Sequence, residues 1–106
     1  MVFRAEGGSV LIITKTVNEN EATIAVKGWL DTQAAPLLQE ELDKLEPEIT
    51  GIILDFSELE YISSSGVREV VAAYKKVNGN LVVRKSPENV MNVFRATGIS
   101  RKIRFE

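Results

Sequence analysis

Apolar and polar positions divide this chain into short segments of two periods. Leu11-Ile12-Ile13-Thr14-Lys15-Thr16-Val17 is dense in β-branched residues, and Ala22-Thr23-Ile24-Ala25-Val26-Lys27-Gly28 follows the polar turn Asn18-Glu19-Asn20-Glu21. Both segments predict strands, and their short connection predicts an antiparallel hairpin. The pattern then changes. Ala34, Leu38, Leu42 and Leu45 recur every three or four residues, the stripe of an amphipathic helix that ends near Lys44. Asp31 and Thr32 offer N-caps for it, Pro36 falls in or near its first turn, and Pro47 is a stop signal beyond it.

Gly51-Ile52-Ile53-Leu54-Asp55-Phe56 is a nearly continuous apolar run, the pattern of a central strand covered on both faces. Val67, Val70, Val71, Tyr74 and Val77 mark one face of a second helix, which Asn78-Gly79 stops in left-handed backbone. Leu81-Val82-Val83-Arg84 predicts another strand. Ser86-Pro87 opens a third helix with serine as cap and proline at the first position, and Gly98 closes it. Ile103 and Phe105 supply either a last short strand or a docked tail. The order β-β-α-β-α-β-α implies an α/β domain with a mixed, largely parallel sheet of four to five strands and helices packed on it. Ligands and partners of such sheets meet the loops beyond the carboxyl ends of the parallel strands. The Ser57–Ser65 stretch is such a loop, and Asp31, which closes the preceding strand-to-helix turn, is expected to be its neighbour.

The 106 residues suit one domain, and 44% hydrophobic with 26% charged residues is ordinary globular composition. The chain has no cysteine and no histidine, which removes thiolate chemistry, thiolate metal sites and serine–histidine catalysis within the chain. A net charge of −2 argues against nucleic-acid binding, and the closing basic run Arg95, Arg101, Lys102 and Arg104 is expected to be a solvated face. No apolar run reaches the roughly 20 residues that span a bilayer, and the N-terminus lacks the apolar stretch of a signal peptide. The composition points to the cytoplasm.

The most informative stretch is Tyr61-Ile62-Ser63-Ser64-Ser65-Gly66, between the apolar run and the second helix. Helix N-termini expose unpaired N–H groups and a partial positive charge, which stabilises an anion placed there. A serine at that point is either a plain cap or the carrier of a phosphate. One serine suffices as a cap, so two remain unexplained, and Gly66 permits a close backbone approach by a partner or phosphate. Asp31 and Asp55 follow strands expected to be adjacent. They either hold Mg²⁺ beside a phosphate or make local cap and turn bonds. Trp29, at a strand end, is expected in the core or as a packed lid. Gly7-Gly8-Ser9 precedes the first predicted strand, so it does not match a phosphate-binding loop.

Gly28-Trp29-Leu30-Asp31-Thr32, the stretch from Tyr61 to Val67, and the ending Thr97-Gly98-Ile99 through Ile103-Arg104-Phe105 resemble the STAS domain of bacterial anti-sigma factor antagonists. The similarity runs from about residue 9 to 105 and implies a single STAS domain over 1–106. The usual motif of that family is aspartate-serine-serine-glycine with the first serine modified. Aligned on Gly66, that serine is Ser64, with Ser65 as second choice, and Ser63 stands where aspartate is common. The resemblance implies partner switching. The unmodified antagonist binds an anti-sigma factor that is also a serine kinase, phosphorylation breaks the complex, and a metal-dependent phosphatase restores it. ATP is then bound by the partner, and no cofactor or metal by this chain. The implied contact residues are Asp31, Thr32, Ser63, Ser65 and Gly66. Two other readings stay open. One is a STAS module in a stress-signalling scaffold or beside a transporter, binding a protein or small ligand. The other is an enzyme in which Asp31 and Asp55 hold Mg²⁺ for phosphoryl chemistry.

Overall fold

The computed structural model describes residues 2–4 and 10–106; the Gly7-Gly8-Ser9 segment lies outside them. β1 (Val2–Arg4), β2 (Val10–Asn18) and β3 (Glu21–Leu30) form an antiparallel meander, with Ile13 opposite Val26 across the predicted hairpin. β4 (Gly51–Asp55) runs parallel to β3, and β6 (Leu81–Arg84) parallel to β4. The last strand, β7 (Arg104–Phe105), runs parallel to β6. The connections carry α1 (Ala35–Asp43), α2 (Ser64–Lys76) and α3 (Glu88–Ala96), and a 3₁₀ turn at Ile99–Arg101 follows α3.

The mixed α/β sheet is the expected one, but among the described residues it has seven strands rather than four to five. The additions are β1 and β5 (Leu59–Ile62), three and four residues long and too short to display a period. β5 lies inside the segment expected to be a loop. After β4 leaves β3 at Asp55, β5 takes its place beside the far end of β3.

From β3 the chain steps to β4, β6 and β7 in one direction across the sheet. Parallel crossovers are right-handed, so repeated steps in one direction put all three helices on one face. Burial agrees. Ala22, Ile24 and Val26 of β3, Ile52 and Leu54 of β4, and Leu81 and Val83 of β6 are sealed against Leu38, Val67, Val70, Val90 and Phe94 of the helices in one core. The alternate residues Thr23, Ala25 and Ile53 stay partly exposed. β4 is therefore fully covered on its helix side only, not on both faces as its apolar run suggested.

Helix ends follow the sequence with two exceptions. Asn78 (φ 52°), Gly79 (φ 88°) and Gly98 (φ 77°) adopt the left-handed backbone that stops α2 and α3. Ser86, however, does not cap α3. Pro87 occupies the cap position, and the Ser86 hydroxyl is buried without a hydrogen-bond partner. Thr32 does not cap α1 either. Its neighbour Asp31 is not the cap residue either, a position Ala34 holds, but it accepts the Ala34 N–H at 2.8 Å and closes the turn from which α1 departs.

Candidate functional site

The site is built where two parallel strands end side by side. Leu30 is paired with Ile62, so Asp31 and Ser63 leave β3 and β5 as neighbours, as expected. The pairing of β3 with β5 contains a bulge: Gly28 faces Leu59, whereas Trp29 faces Tyr61, which leaves Glu60 as the additional residue. The bulge lets Leu59 and Ile62, three apart, both be buried. Strict alternation would send one of them to solvent. Asn89, in the first turn of α3, donates its side-chain amide to the Glu60 carbonyl at 2.8 Å and fixes the bulge from outside the sheet. Gly28 permits the irregularity. Its φ is +104°, and a Cβ there would lie 2.3 Å from the Val10 carbonyl oxygen.

The three serines take three different places. Ser63 is buried and caps α2. Its hydroxyl accepts the Gly66 N–H at 3.1 Å and donates to the Leu30 carbonyl at 3.3 Å, and its own N–H donates to that same carbonyl at 2.9 Å. Ser65 is half-buried. Ser64, the first residue of the helix, is exposed, and its hydroxyl has no partner among the described residues. Gly66 is buried. A Cβ on it would stand 2.8 Å from both the Leu30 oxygen and Ile62 Cγ1. The close approach that this glycine allows is therefore to its own sheet, and it sets how low α2 sits over β3 and β5. The first turn of α2 contains no carboxylate, and its last turn carries Lys75 and Lys76. The positive end of the helix thus has no anionic side chain of its own.

Asp55 does not join this site. It pairs with Ala25, six residues before Asp31 along β3, so the two carboxylates lie roughly 20 Å apart at ~3.3 Å per residue. One Mg²⁺ cannot bridge that distance, so of the two readings of Asp31 and Asp55 the joint cation site fails and the local bonds hold. The reason is β5, which separates the end of β4 from the end of β3. Asp55 instead accepts the Ser57 N–H at 3.0 Å. That bond is the main reason its carboxyl titrates below the ordinary range; the Ser57 hydroxyl, Lys85 and Arg84 add to it, and burial opposes it.

One feature escaped the sequence. Trp29 and Tyr61 are 47% and 41% exposed, and their rings are 5.0 Å apart between centroids. Trp29 is neither core nor lid. With Leu30 and Ile62 turned to the helices, the two aromatics project from the opposite face of the sheet, within three residues of Asp31 and Ser64. Paired exposed aromatics of this kind are frequent anchors of protein interfaces. The available signal was that Trp29 precedes an inward leucine in an alternating strand; its aromatic partner became visible only with the bulge. The basic residues Arg95, Arg101, Lys102 and Arg104 are all exposed, as expected, and Arg95 is paired with Glu88.

This fold, with a capped helix presenting a serine beyond paired parallel strands, agrees with the family comparison. The STAS domain model matches residues 13–106, and the chain belongs to the STAS domain family. It is 27% identical over 85 residues to the anti-sigma-B factor antagonist of Bacillus subtilis (strain 168), covering 77% of this chain and 78% of that protein. Two solved structures share its fold at 20% sequence identity. The anti-sigma factor antagonist SpoIIAA in its unphosphorylated form superposes with a TM-score of 0.73, covering 91% of this chain and 87% of that one. The phosphorylated form of SpoIIAA, a Bacillus cell fate determinant, gives 0.69 over 91% and 90%. Among the described residues, no helix is long and apolar enough to cross a membrane.

Proposed function

We propose that this chain is an anti-sigma factor antagonist that works by partner switching at Ser64. The unmodified protein binds an anti-sigma factor that is also a serine kinase, and so frees the sigma factor for transcription. The kinase transfers the γ-phosphoryl group of its own ATP to Ser64 Oγ. The new Oγ–P bond replaces the bond to the β-phosphate oxygen, and ADP and the hydroxyl proton leave. The modified protein releases its partner. A metal-dependent phosphatase restores the hydroxyl by hydrolysis, giving inorganic phosphate. The chain itself catalyses nothing, holds no cofactor and acts in the cytoplasm.

The observation that carries this reading is the division of labour among the serines. Ser63 is consumed by capping and burial, while Ser64 stands free one residue later. A phosphate there adds about −1.5 to −2 charges, which the mouth of α2 tolerates. A partner surface shaped for a neutral hydroxyl would have to desolvate that charge, and each ~1.4 kcal/mol of penalty weakens binding tenfold. Asp31, Thr32 and Ser65 form the rest of the contact rim, Trp29 and Tyr61 its apolar anchor. Ser63 and Gly66 act from beneath by fixing where Ser64 is presented. The names of the relatives support the same role.

The test measures affinity for a candidate anti-sigma factor with the wild type, Ser64→Ala and Ser64→Asp. Binding by the first two and at least tenfold weaker binding by the third is expected. Equal affinity of all three sinks the proposal. Incubation with the candidate kinase and ATP, followed by mass spectrometry, locates the modified residue.

A further inference from the structure

Residues four apart on a helix have Cβ atoms about 5–6 Å from each other, and the later side chain leans back toward the earlier. Along α2, Ser64 is followed at that spacing by Arg68, and Ser65 by Glu69. The two rows differ in surroundings. Ser64 and Arg68 are exposed, and Arg68 forms no ion pair among the described residues. Ser65 and Glu69 are half-buried, and Glu69 Oε1 is sealed from solvent without a hydrogen-bond partner. Glu69 also faces α1, where it shares a small cleft of about 180 Å³ with Asp43, Gln39 and Lys76.

Resting on the reading of Ser64 as the modified residue, we propose that Arg68 is the built-in counter-ion of its phosphate, and that Glu69 disfavours a phosphate on Ser65. Phosphate and guanidinium match as a charge-assisted, bidentate pair, and one helical turn brings them within reach. The pairing draws the phosphate along the outer flank of α2, so the modified state keeps an ordered helix start. A phosphate on Ser65 meets the reverse: a half-buried carboxylate one turn on, one oxygen of which is sealed from solvent, with the Asp43 carboxylate across the same cleft. Two adjacent hydroxyls thus become unequal through the residues a turn below them. Asp31, at the end of the neighbouring strand, accepts the Ala34 N–H through Oδ1 and is a carboxylate whose repulsion of the Ser64 phosphate Arg68 has to outweigh.

The test needs neither kinase nor partner. Phosphoserine is incorporated at position 64 or 65 during translation, and ³¹P NMR follows the second ionisation of the phosphate. With phosphate on residue 64, its pKa in the otherwise wild-type protein is expected below that in Arg68→Gln by roughly 0.3, the scale of an i,i+4 ion pair. With phosphate on residue 65 the pKa is expected above that of residue 64, and Glu69→Gln lowers it. Arg68 is exposed, so its replacement leaves the core untouched. Coincident titrations with and without Arg68, or a phosphate on 65 that titrates at or below one on 64, overturn the inference. Either result leaves the Ser64 affinity series to be judged separately, because no partner enters this measurement.

Discussion

Ser63 and Leu30 are tied twice at one carbonyl oxygen, by the serine N–H at 2.9 Å and by its hydroxyl at 3.3 Å. The first bond continues the pairing of β5 with β3, and the second belongs to the cap of α2. A single residue therefore closes the sheet and starts the helix. Ser63→Ala keeps the first bond and loses both the second and the cap to Gly66. The expected loss is about 1–2 kcal/mol of stability, measured by urea denaturation. An unchanged midpoint would mean that the cap contributes nothing.

Gly66→Ala tests whether the glycine serves the sheet. Alanine is the better helix former by ~1 kcal/mol. Its methyl group, however, would press on Leu30 and Ile62 at 2.8 Å. Overpacking of this kind costs about 1–3 kcal/mol, so a net loss of up to about 2 kcal/mol is expected. A more stable variant would show that α2 can rise without cost.

Glu69 predicts a pH dependence of definite sign. Burial, and after it the Asp43 carboxylate, raises its pKa above the ordinary 4.5, against the pull of Arg68. Between that value and the folded one, the native state binds more protons than the unfolded chain. Stability from this group is therefore greatest below 4.5 and falls as pH rises through the folded pKa. Glu69→Gln is expected to raise the denaturation midpoint at pH 7, with the gain shrinking toward zero near pH 4. A gain independent of pH would point to packing instead. Glu41 and Asp55 act in the opposite sense, because their carboxyls are held low. Their stabilisation is present above the ordinary values of 4.5 and 3.8 and is lost as pH falls through the folded ones.

Glu41 is held low chiefly by its bond to Lys44, then by Lys15, against its own burial. It is almost wholly buried on α1 and meets Lys44 Nζ at 3.0 Å and Lys15 Nζ at 3.4 Å. Lys44 is exposed at the C-cap of the same helix, whereas Lys15 is partly buried on β2. Lys44→Ala is expected to cost about 1.5 kcal/mol, because it removes the shorter of two bonds to a buried carboxylate that Lys15 still neutralises. Lys15→Ala is expected to cost more, because it removes the tie between helix and sheet along with the aliphatic stem. Chemical denaturation of the two variants gives the order, and the reverse order would refute this assignment.

Trp29→Ala separates binding from folding. It removes a ring contact with Tyr61 worth about 0.5–1.5 kcal/mol to the fold. If the pair anchors the partner, affinity is expected to fall by about 2 kcal/mol or more. The lone tryptophan is also its own reporter: its emission should shift to the blue as the partner covers it. Full affinity in Trp29→Ala would remove the aromatic pair from the interface.

The sequence by itself determined the local elements. The β-branched runs of β2 and β3, the apolar stripes of the helices and the turn residues Asn78, Gly79 and Gly98 each act over a few residues, so their pattern was enough. It also determined that a serine begins α2. Only the tertiary structure decided which serine caps it and which stands free, because that choice depends on Leu30, 33 residues away in the chain. The same holds for β5, whose bulge buries two residues three apart and conceals its alternation. It holds too for the Trp29–Tyr61 pair that the bulge aligns, and for the separation of Asp31 from Asp55. Periodicity records how a segment meets its own immediate surroundings; which strand end lies beside which is set by long-range pairing, and the site is made of such pairings.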